Sequence, residues 1–445
     1  MESPQESPSA RVMARFYFAC FWTIVFTGAI RKWIFPGSSI FYLLQDIPIA
    51  LAYFYALWKG MYDRGYLTLG IILLACLLVL QGLLQVMVNG LNIFVALVGF
   101  HHYLFYLPIL VIFPICLTEK YRRNFIWWNL MLSIPMCLLA IAQSLSPKQA
   151  WVNRTSEGDA FGVPGADVAR VTGTFNFVSF YGIWVAMAVA LCMGEWLLPK
   201  HRRVIQKTWL MVLVTFTCNM CHLVSASRAA IVLAGLAIVG AAVCAVVIGS
   251  MRSVAAIAGI FLALPVLGAA TYVISPAEFN IVVDRFTGER GASDSKARLV
   301  EGLVDFLTVP KFDLIGAGIG VGVDAAHIGN LDAYNFTYNL SEEDTVRNVM
   351  ELGTPVGLTY VIIRLMFFYG MILLSIRIAR SGSAPHVVPL SFFLLATGYA
   401  DMTRNATMTA TQILIGYAFI LSALYNPDNA AMQEDQAGDS LTRSV

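Results

Sequence analysis

The chain has 445 residues, of which 58% are hydrophobic and 13% are charged, with a formal net charge of +2 and a mean hydropathy of +0.71. Soluble globular chains carry about 25% charged residues, so this composition excludes an ordinary water-soluble fold and indicates a protein surrounded by lipid. The small net charge identifies no partner and gives no reason to expect nucleic-acid binding.

Apolar stretches recur along the whole chain and predict an all-α polytopic membrane protein with about 12 transmembrane helices. A hydrocarbon core about 30 Å thick requires about 20 apolar residues per helix. The predicted helices span residues 16–30, 40–58, 67–88, 91–117, 124–146, 174–198, 208–226, 229–249, 253–274, 349–376, 386–400 and 405–425. A long polar segment separates the ninth predicted helix from the tenth.

The distribution of Lys and Arg predicts the orientation, because cytoplasmic flanks are enriched in both. With the N-terminus inside, fourteen of these residues fall on cytoplasmic flanks and seven on the opposite flanks. The first helix lacks a small-residue cleavage site and is interpreted as a retained anchor. The predicted order is a cytoplasmic tail (1–15), nine helices with an outer loop at 147–173 (16–274), a large periplasmic loop (275–348), three helices (349–425) and a cytoplasmic tail (426–445).

All eight cysteines fall inside predicted helices, so no disulfide framework is expected in the outer loops. Cys218 and Cys221 form a CxxC pattern followed by His222, which could indicate metal or redox chemistry. A structural zinc site needs four ligands, so ordinary apolar helix residues are the favoured interpretation.

Two features of the large loop predict local structure. The apolar spacing over residues 295–308 predicts an amphipathic helix lying on the membrane. Glycines alternate over residues 316–322 (GAGIGVG), and the alternatives are a phosphate-binding loop or a flexible turn. Nucleotide-binding loops need a preceding strand and a following helix, so the turn is favoured.

Charged side chains within or beside apolar helices are costly, so they usually pair with each other or mark a substrate path. Inside predicted helices stand Asp46, His101, His102, His222, Glu351 and Arg364. Near the predicted outer face stand Arg31, Lys32, Arg170, Arg228, Arg298, Arg347 and Arg404. Any one of them could be an interfacial anchor, but a group of arginines on this face would suit a phosphate, because guanidinium offers paired donors and keeps its charge.

Four segments, in this order, resemble the bacterial O-antigen ligase and O-antigen polymerase superfamily, and most closely its exopolysaccharide polymerase members. They are residues 28–46 (GAIRKWIFPGSSIFYLLQD), residues 143–175 ending in RVTGTF, residues 225–235 (SASRAAIVLAG) and residues 298–358, which include RNVMELGTPVGL. The chain departs from many members in having Glu342 and Glu343 where they have a His-Asn pair, and His101 where arginine is common.

The resemblance implies a glycosyltransferase of exopolysaccharide or lipopolysaccharide assembly. It would transfer a glycan from undecaprenyl diphosphate to a sugar hydroxyl of another lipid-linked repeat unit, on the periplasmic face of the bacterial inner membrane. It implies no cofactor and no metal, and its partners would be the lipid-linked donor, a glycan acceptor, the lipid bilayer and polysaccharide-assembly proteins. Direct displacement would invert the anomeric configuration.

The resemblance also implies roles for particular residues. Arg170 and Arg228 are the first choices to bind the diphosphate, because fixed positive charges stabilise a leaving group as it gains negative charge. The second choices are Arg298, Arg347 and Arg31. The acceptor hydroxyl needs a general base, for which Glu342 is the leading candidate and the alternatives are Glu343, Asp344 and His327.

Two other functions stay open at this point. An O-antigen ligase would use the same donor but transfer the glycan to a lipid A core, and the sequence contains no readable acceptor code. A transporter of lipid-linked oligosaccharide would also suit many helices with intramembrane charges, although transporters often have two related halves and none is evident here.

Overall fold

A computed structural model gives the structure of the chain. It describes residues 7–156 without 39, residues 158, 160 and 162, residues 169–249 without 226, residues 251–274, 276, 279–280, 283, 305–308, 313–323 and 340–341, and residues 343–424 without 382, 383 and 405. Over these residues the chain is all-α, and its extended structure is limited to two isolated bridges, Thr155 with Gly158 and Gly162 with Ala169.

The structure has fifteen α-helices in the described part of the chain. In chain order they are α1 (Pro8–Ala29), α2 (Asp46–Lys59), α3 (Tyr66–Asn89), α4 (Ile93–Leu104), α5 (Ile109–Ile112), α6 (Glu119–Leu145), α7 (Val178–Leu197), α8 (Thr208–Val224), α9 (Arg228–Ile248), α10 (Met251–Ile274), α11 (Asp305–Thr308), α12 (Asp344–Leu352), α13 (Thr354–Arg380), α14 (Val387–Ala400) and α15 (Thr409–Ser422). A π-helical turn, Ile30–Ile34, continues α1.

In the described part of the chain, seven helical segments are long and apolar enough to cross a membrane. They are Pro8–Ile34, Tyr66–Asn89, Ile93–Cys116, Glu119–Leu145, Val178–Leu197, Arg228–Ile248 and Thr354–Arg380. Three shorter apolar helices, α8, α14 and α15, pack among them. The predicted class of an all-α multi-pass membrane protein is therefore confirmed, and each of the twelve predicted stretches contains a helix.

The centre of the bundle is α7, whose residues are almost all buried and which packs against α8, α9 and α14. In a bilayer the hydrophobic effect does not favour helix–helix association, so helices associate through close packing, which small residues permit. Gly182 in the first turns of α7 lies against Ala230 in the first turn of α9. These two helices therefore start at the same end of the bundle and run in the same direction.

The last two helices extend this common end. Pro389 at the start of α14 lies against Gly240 in the second half of α9, so α14 runs antiparallel to α9 and finishes beside its first residue. Gln412 in the first turn of α15 donates to the carbonyl oxygen of Phe180 in the first turn of α7, at 3.3 Å. We call this common end, which carries the starts of α7, α9 and α15 and the finish of α14, the arginine end.

Three predicted helices differ from the structure. The fourth, 91–117, is divided into α4, α5 and a 3₁₀ turn, Pro114–Cys116. The second predicted helix starts at residue 40, but the structure has a short 3₁₀ turn, Ile40–Leu43, before α2 begins at Asp46. The tenth predicted helix, 349–376, is two helices separated by Gly353, which has a φ of +79° and leaves no room for a Cβ atom next to the carbonyl oxygen of Leu314. Of the amphipathic helix predicted over 295–308, only α11 is described, and the rest lies outside the described residues.

Candidate functional site

The segment that carries Arg170 is held in place by a buried lysine. Nζ of Lys32, on the π-helical turn after α1, donates to Oγ1 of Thr172 at 3.0 Å, to the carbonyl oxygen of Gly173 at 2.6 Å and to that of Phe175 at 2.9 Å. The lysine side chain is fully buried. The RKW and RVTGTF motifs, 140 residues apart in the sequence, are thus one structural unit.

A glutamine completes the attachment from the opposite side. Oε1 of Gln143, near the last turn of α6, accepts hydrogen bonds from the backbone N–H groups of Thr172 at 3.3 Å and Gly173 at 2.8 Å. Gly173 has a φ of +54°, and a Cβ atom there would approach Sδ of Met136 to 2.7 Å and the Tyr181 ring to 2.8 Å. The glycine of the motif is therefore required both by its backbone conformation and by the close packing.

Arg170 and Arg228 lie near each other at the arginine end. Arg170 lies a few residues before α7, and Arg228 is the first residue of α9, which is parallel to α7. Both side chains are partly buried. Burial lowers the pKa of Arg170, and the nearby positive charge of Arg228 lowers it further. Two neighbouring, partly buried guanidinium groups make the local potential positive, which favours an anion.

The other three predicted arginines have different surroundings. Arg31 directly precedes Lys32, so it lies at the same end of the bundle as the Arg170 segment. Arg298 lies outside the described residues. The side chain of Arg347 is only 2% exposed, and its Nη2 atom forms an ion pair with Asp344 and donates to Oγ1 of Thr403. These contacts make Arg347 part of a buried network.

Asp344 is the centre of that network. Arg347 is its ion-pair partner one helical turn away, and Nη1 of Arg364, from the middle of α13, donates to Oδ2 of Asp344 at 2.7 Å. Oγ1 of Thr403 donates to Oδ1 at 2.7 Å, and the backbone N–H groups of Met402 and Thr403 donate at 3.2 and 3.1 Å. Burial raises the pKa of Asp344, but the charges of Arg347 and Arg364 and the hydrogen bond from Thr403 outweigh it and hold the pKa at about 2.

The predicted general bases are therefore not equivalent. Asp344 is a weak base in this environment, because its oxygens are occupied by donors and its pKa is low. Glu343, the neighbouring residue, is partly exposed. Glu342 and His327 lie outside the described residues.

Glu351 attaches the glycine-rich segment to this network. Its carboxylate accepts the backbone N–H of Gly322 at 2.7 Å and of Gly320 at 3.3 Å, and the hydroxyl of Tyr103 at 2.7 Å. Burial raises the pKa of Glu351 and outweighs the opposing effects of Arg347, Tyr103 and the glycine N–H groups. The two glycine N–H groups thus bind a carboxylate of the chain itself.

Amide side chains from α3 hold the same segment from its other side. Gln81, Gln85 and Asn89 are spaced four residues apart and so share one face of the helix. Gln85 donates to the carbonyl oxygen of Ile315 at 2.6 Å and accepts from the N–H of Ile319 at 2.7 Å. The turn favoured from the sequence is present, but it is a packed part of the fold and not a free connector.

A second polar group lies between α2 and α4. Nε2 of His101 is 3.0 Å from Oδ2 of Asp46, and the hydroxyl of Tyr106 donates to Oδ1 of the same carboxylate at 2.7 Å. The next residue, His102, bonds through Nδ1 to the carbonyl oxygen of Thr403 at 2.9 Å. The histidine pair therefore lies beside the loop that binds Asp344.

The CxxC pattern gives no sign of a metal centre. Cys218 and Cys221 are buried among apolar residues of α8. In the part of the chain that the structure describes, no group of three or more His, Cys, Asp or Glu side chains is arranged to hold a metal ion.

Comparison with models of known protein families gives no match, and comparison with curated proteins gives none. The class of the protein is therefore defined by its fold and its site only. The chain is an α-helical multi-pass membrane protein with a cluster of buried charges and two interacting arginines at one end of its bundle.

Proposed function

We propose that the chain is a membrane glycosyltransferase that transfers a glycan from a polyprenyl diphosphate, such as undecaprenyl diphosphate, to a hydroxyl of a second lipid-linked repeat unit. This is the reaction of the O-antigen and exopolysaccharide polymerases that the sequence resembles. The observation that carries the proposal is that Arg170 and Arg228, which come from separate motifs of that resemblance, lie at the same end of the bundle and near enough for their charges to interact. A diphosphate site needs two positive charges close together. The proposal would therefore have failed if the two arginine side chains lay at opposite ends of the bundle.

The proposed topology has about twelve membrane spans, with both termini in the cytoplasm and the arginine end outside. It follows the distribution of Lys and Arg along the chain. Arg123 and the neighbouring Arg202 and Arg203 lie together, since Arg123 donates to the carbonyl oxygen of Arg202 at 2.8 Å and of Arg203 at 3.3 Å. They stand near the finish of α7, at the end of the bundle opposite to Arg170, as a cytoplasmic basic cluster would.

The chemistry asks two things of the protein. When the anomeric carbon–oxygen bond breaks, the departing diphosphate gains negative charge, and arginines already fixed in a low-dielectric site stabilise that charge without reorganisation. Arg170 is fixed by the attachment of its segment to Lys32 and Gln143, and Arg228 by its position in the first turn of α9. The attacking hydroxyl must also lose its proton to a base.

In the proposal, the Asp344 network has a positioning role. It joins α12, α13 and the loop after α14 at the arginine end, because Arg364 and Thr403 both bind the same carboxylate. Removing one partner of a buried ion pair costs about 3–5 kcal/mol, since it leaves a buried charge uncompensated. This network would therefore hold these three segments rigid at the arginine end while Arg170 and Arg228 bind the donor.

The test is reconstitution of the purified protein in liposomes with a lipid-linked oligosaccharide as donor and acceptor. We expect elongated lipid-linked glycan and released polyprenyl diphosphate. Arg170→Ala and Arg228→Ala are each expected to lower the turnover about 100-fold or more, which is the usual effect of losing one donor to a developing anion. Arg154→Ala is the matched control, because Arg154 lies in the same connection between α6 and α7 and is exposed.

Two results would contradict the proposal. One is a wild-type protein that elongates no lipid-linked glycan under any acceptor. The other is a pair of variants, Arg170→Ala and Arg228→Ala, that match Arg154→Ala in turnover. A lipid A core offered in place of the second repeat unit separates a polymerase from a ligase in the same assay.

A further inference from the structure

His101, Asp46 and Tyr106 form a polar triad that the arginine site does not use. Asp46 is the first residue of α2, and its two carboxylate oxygens divide between His101 at 3.0 Å and the Tyr106 hydroxyl at 2.7 Å. The Tyr106 hydroxyl is also 3.4 Å from Nε2 of His101. A carboxylate held in this way fixes the position and the tautomer of the imidazole, with Nε2 carrying the proton toward Asp46.

The second ring nitrogen of His101 is the one available for chemistry. Within the part of the chain that the structure describes, the hydrogen bonds of the His101 ring go through Nε2, and Nδ1 makes none. The His101 side chain is 26% exposed, whereas that of Asp46 is 12% exposed. The ring also stacks on Phe105, with centroids 5.0 Å apart, so its plane is held from the side. An imidazole with one nitrogen bound to a carboxylate and the other open can accept a proton.

The triad is connected to both parts of the proposed site. On one side, α2 follows the π-helical turn whose Lys32 binds the Arg170 segment. On the other side, His102 bonds to the carbonyl oxygen of Thr403, and Thr403 binds Asp344. Both connections place the triad at the arginine end, where the proposed donor would bind.

We propose that His101 is the general base of the transfer reaction and that Asp46 is its positioning residue. This inference rests on the proposed glycan transfer. It places the base on α4 instead of in the run from Glu342 to Asp344. In that run, Asp344 is bound by two arginines and has a pKa of about 2. The acceptor class is a sugar hydroxyl, which needs deprotonation only as it attacks.

Nδ1 of His101 takes the proton of the acceptor hydroxyl while that oxygen forms the new bond to the anomeric carbon of the donor. The bond from the anomeric carbon to the phosphate oxygen breaks, and its electron pair leaves with the polyprenyl diphosphate beside Arg170 and Arg228. The imidazolium then returns its proton to water, and the charge of Asp46 stabilises the imidazolium until it does.

The competing explanation is structural: the pair would only tie α2 to α4. The variant His101→Gln distinguishes a structural role from a role as base. The amide N–H group of glutamine can keep the hydrogen bond to Asp46, but glutamine cannot act as a base. We expect His101→Gln to lower kcat by about 100-fold or more with little change in KM for the donor. Asp46→Asn should give a smaller loss, also in kcat. The control is His201→Gln, at an exposed histidine between α7 and α8.

His101→Gly in the same liposome assay gives a second readout. Added imidazole should restore part of its turnover, because His101 is partly exposed and the missing base can enter the space it leaves. The inference is overturned if His101→Gln keeps more than a tenth of the wild-type kcat, or if His101→Gly does not respond to imidazole. An inactive wild-type protein would instead refute the proposed function, so the two failures are distinguishable.

Discussion

Lys32→Met should release the Arg170 segment while leaving the helices in place. Methionine fills nearly the same volume as lysine but donates no hydrogen bond, so Thr172, Gly173 and Phe175 each lose a donor at 2.6–3.0 Å. Hydrogen bonds to a charged group contribute about 1.5–3 kcal/mol each. Gly173 keeps its bond from Gln143 at 3.2 Å, so the substantial losses are two, or about 3–6 kcal/mol.

The net effect is at the low end of that range. Lys32 is fully buried, and a buried ammonium group itself carries a desolvation penalty that the substitution removes. A local loss of about 3 kcal/mol corresponds to roughly a 100-fold increase in the population of the opened segment, since each 1.4 kcal/mol is a factor of ten. The global unfolding temperature should change little by comparison.

Hydrogen exchange of the protein in lipid nanodiscs measures this directly. The backbone N–H of Gly173, which now donates to Gln143, should exchange about 100-fold faster in Lys32→Met, and the amides of α7 should be unchanged. Lys200→Met, at an exposed lysine, is the control. A change of less than threefold at Gly173 would refute the reasoning that Lys32 anchors the segment.

Further predictions concern packing, charge and metal dependence. Gly28→Ala should reduce folded yield and transfer activity because its Cβ would collide with the backbone at Thr174, whereas Gly70→Ala, at a helical glycine with open space around it, should not; melting temperature and yield are the measurements. Asp344→Asn should destabilise the protein by about 3–5 kcal/mol at pH 7. Because the native pKa of Asp344 is depressed to about 2, the stability it contributes is present above pH 4 and is lost as the pH falls through 2, so the melting temperatures of Asp344→Asn and the wild type should converge in acid. Transfer activity should persist in excess EDTA, since arginines carry the diphosphate charge in the proposed reaction, and inhibition reversed by a divalent ion would contradict this.

The helices could be predicted from the sequence because the signal is local. A run of apolar residues long enough to cross a bilayer specifies its own helix, and each predicted stretch contains one. The break at Gly353 also had a local signal, since a glycine followed by Pro355 in the first turn of a new helix is a usual boundary. The residues on both sides of Gly353 are mostly hydrophobic, so the sequence predicts one continuous helix there.

The partners of buried charges could not be predicted, because they are fixed by tertiary packing. The sequence places Arg364 inside the tenth predicted helix, but its partner Asp344 lies 20 residues away on a different helix. Lys32 was noted as basic, but its role depends on a loop 140 residues further along. Gln143 is an uncharged residue in the apolar part of its helix, so its sequence context does not distinguish it. Only the contact with Gly173 shows that it holds the Arg170 segment.

The most direct test of the account is the turnover of Arg170→Ala and Arg228→Ala with a lipid-linked oligosaccharide in liposomes, measured beside Arg154→Ala. The account predicts that both variants lose at least 100-fold in released polyprenyl diphosphate while the control matches the wild type. Turnover equal to the control in both variants, at equal folded protein, would contradict the claim that these two arginines bind the donor diphosphate.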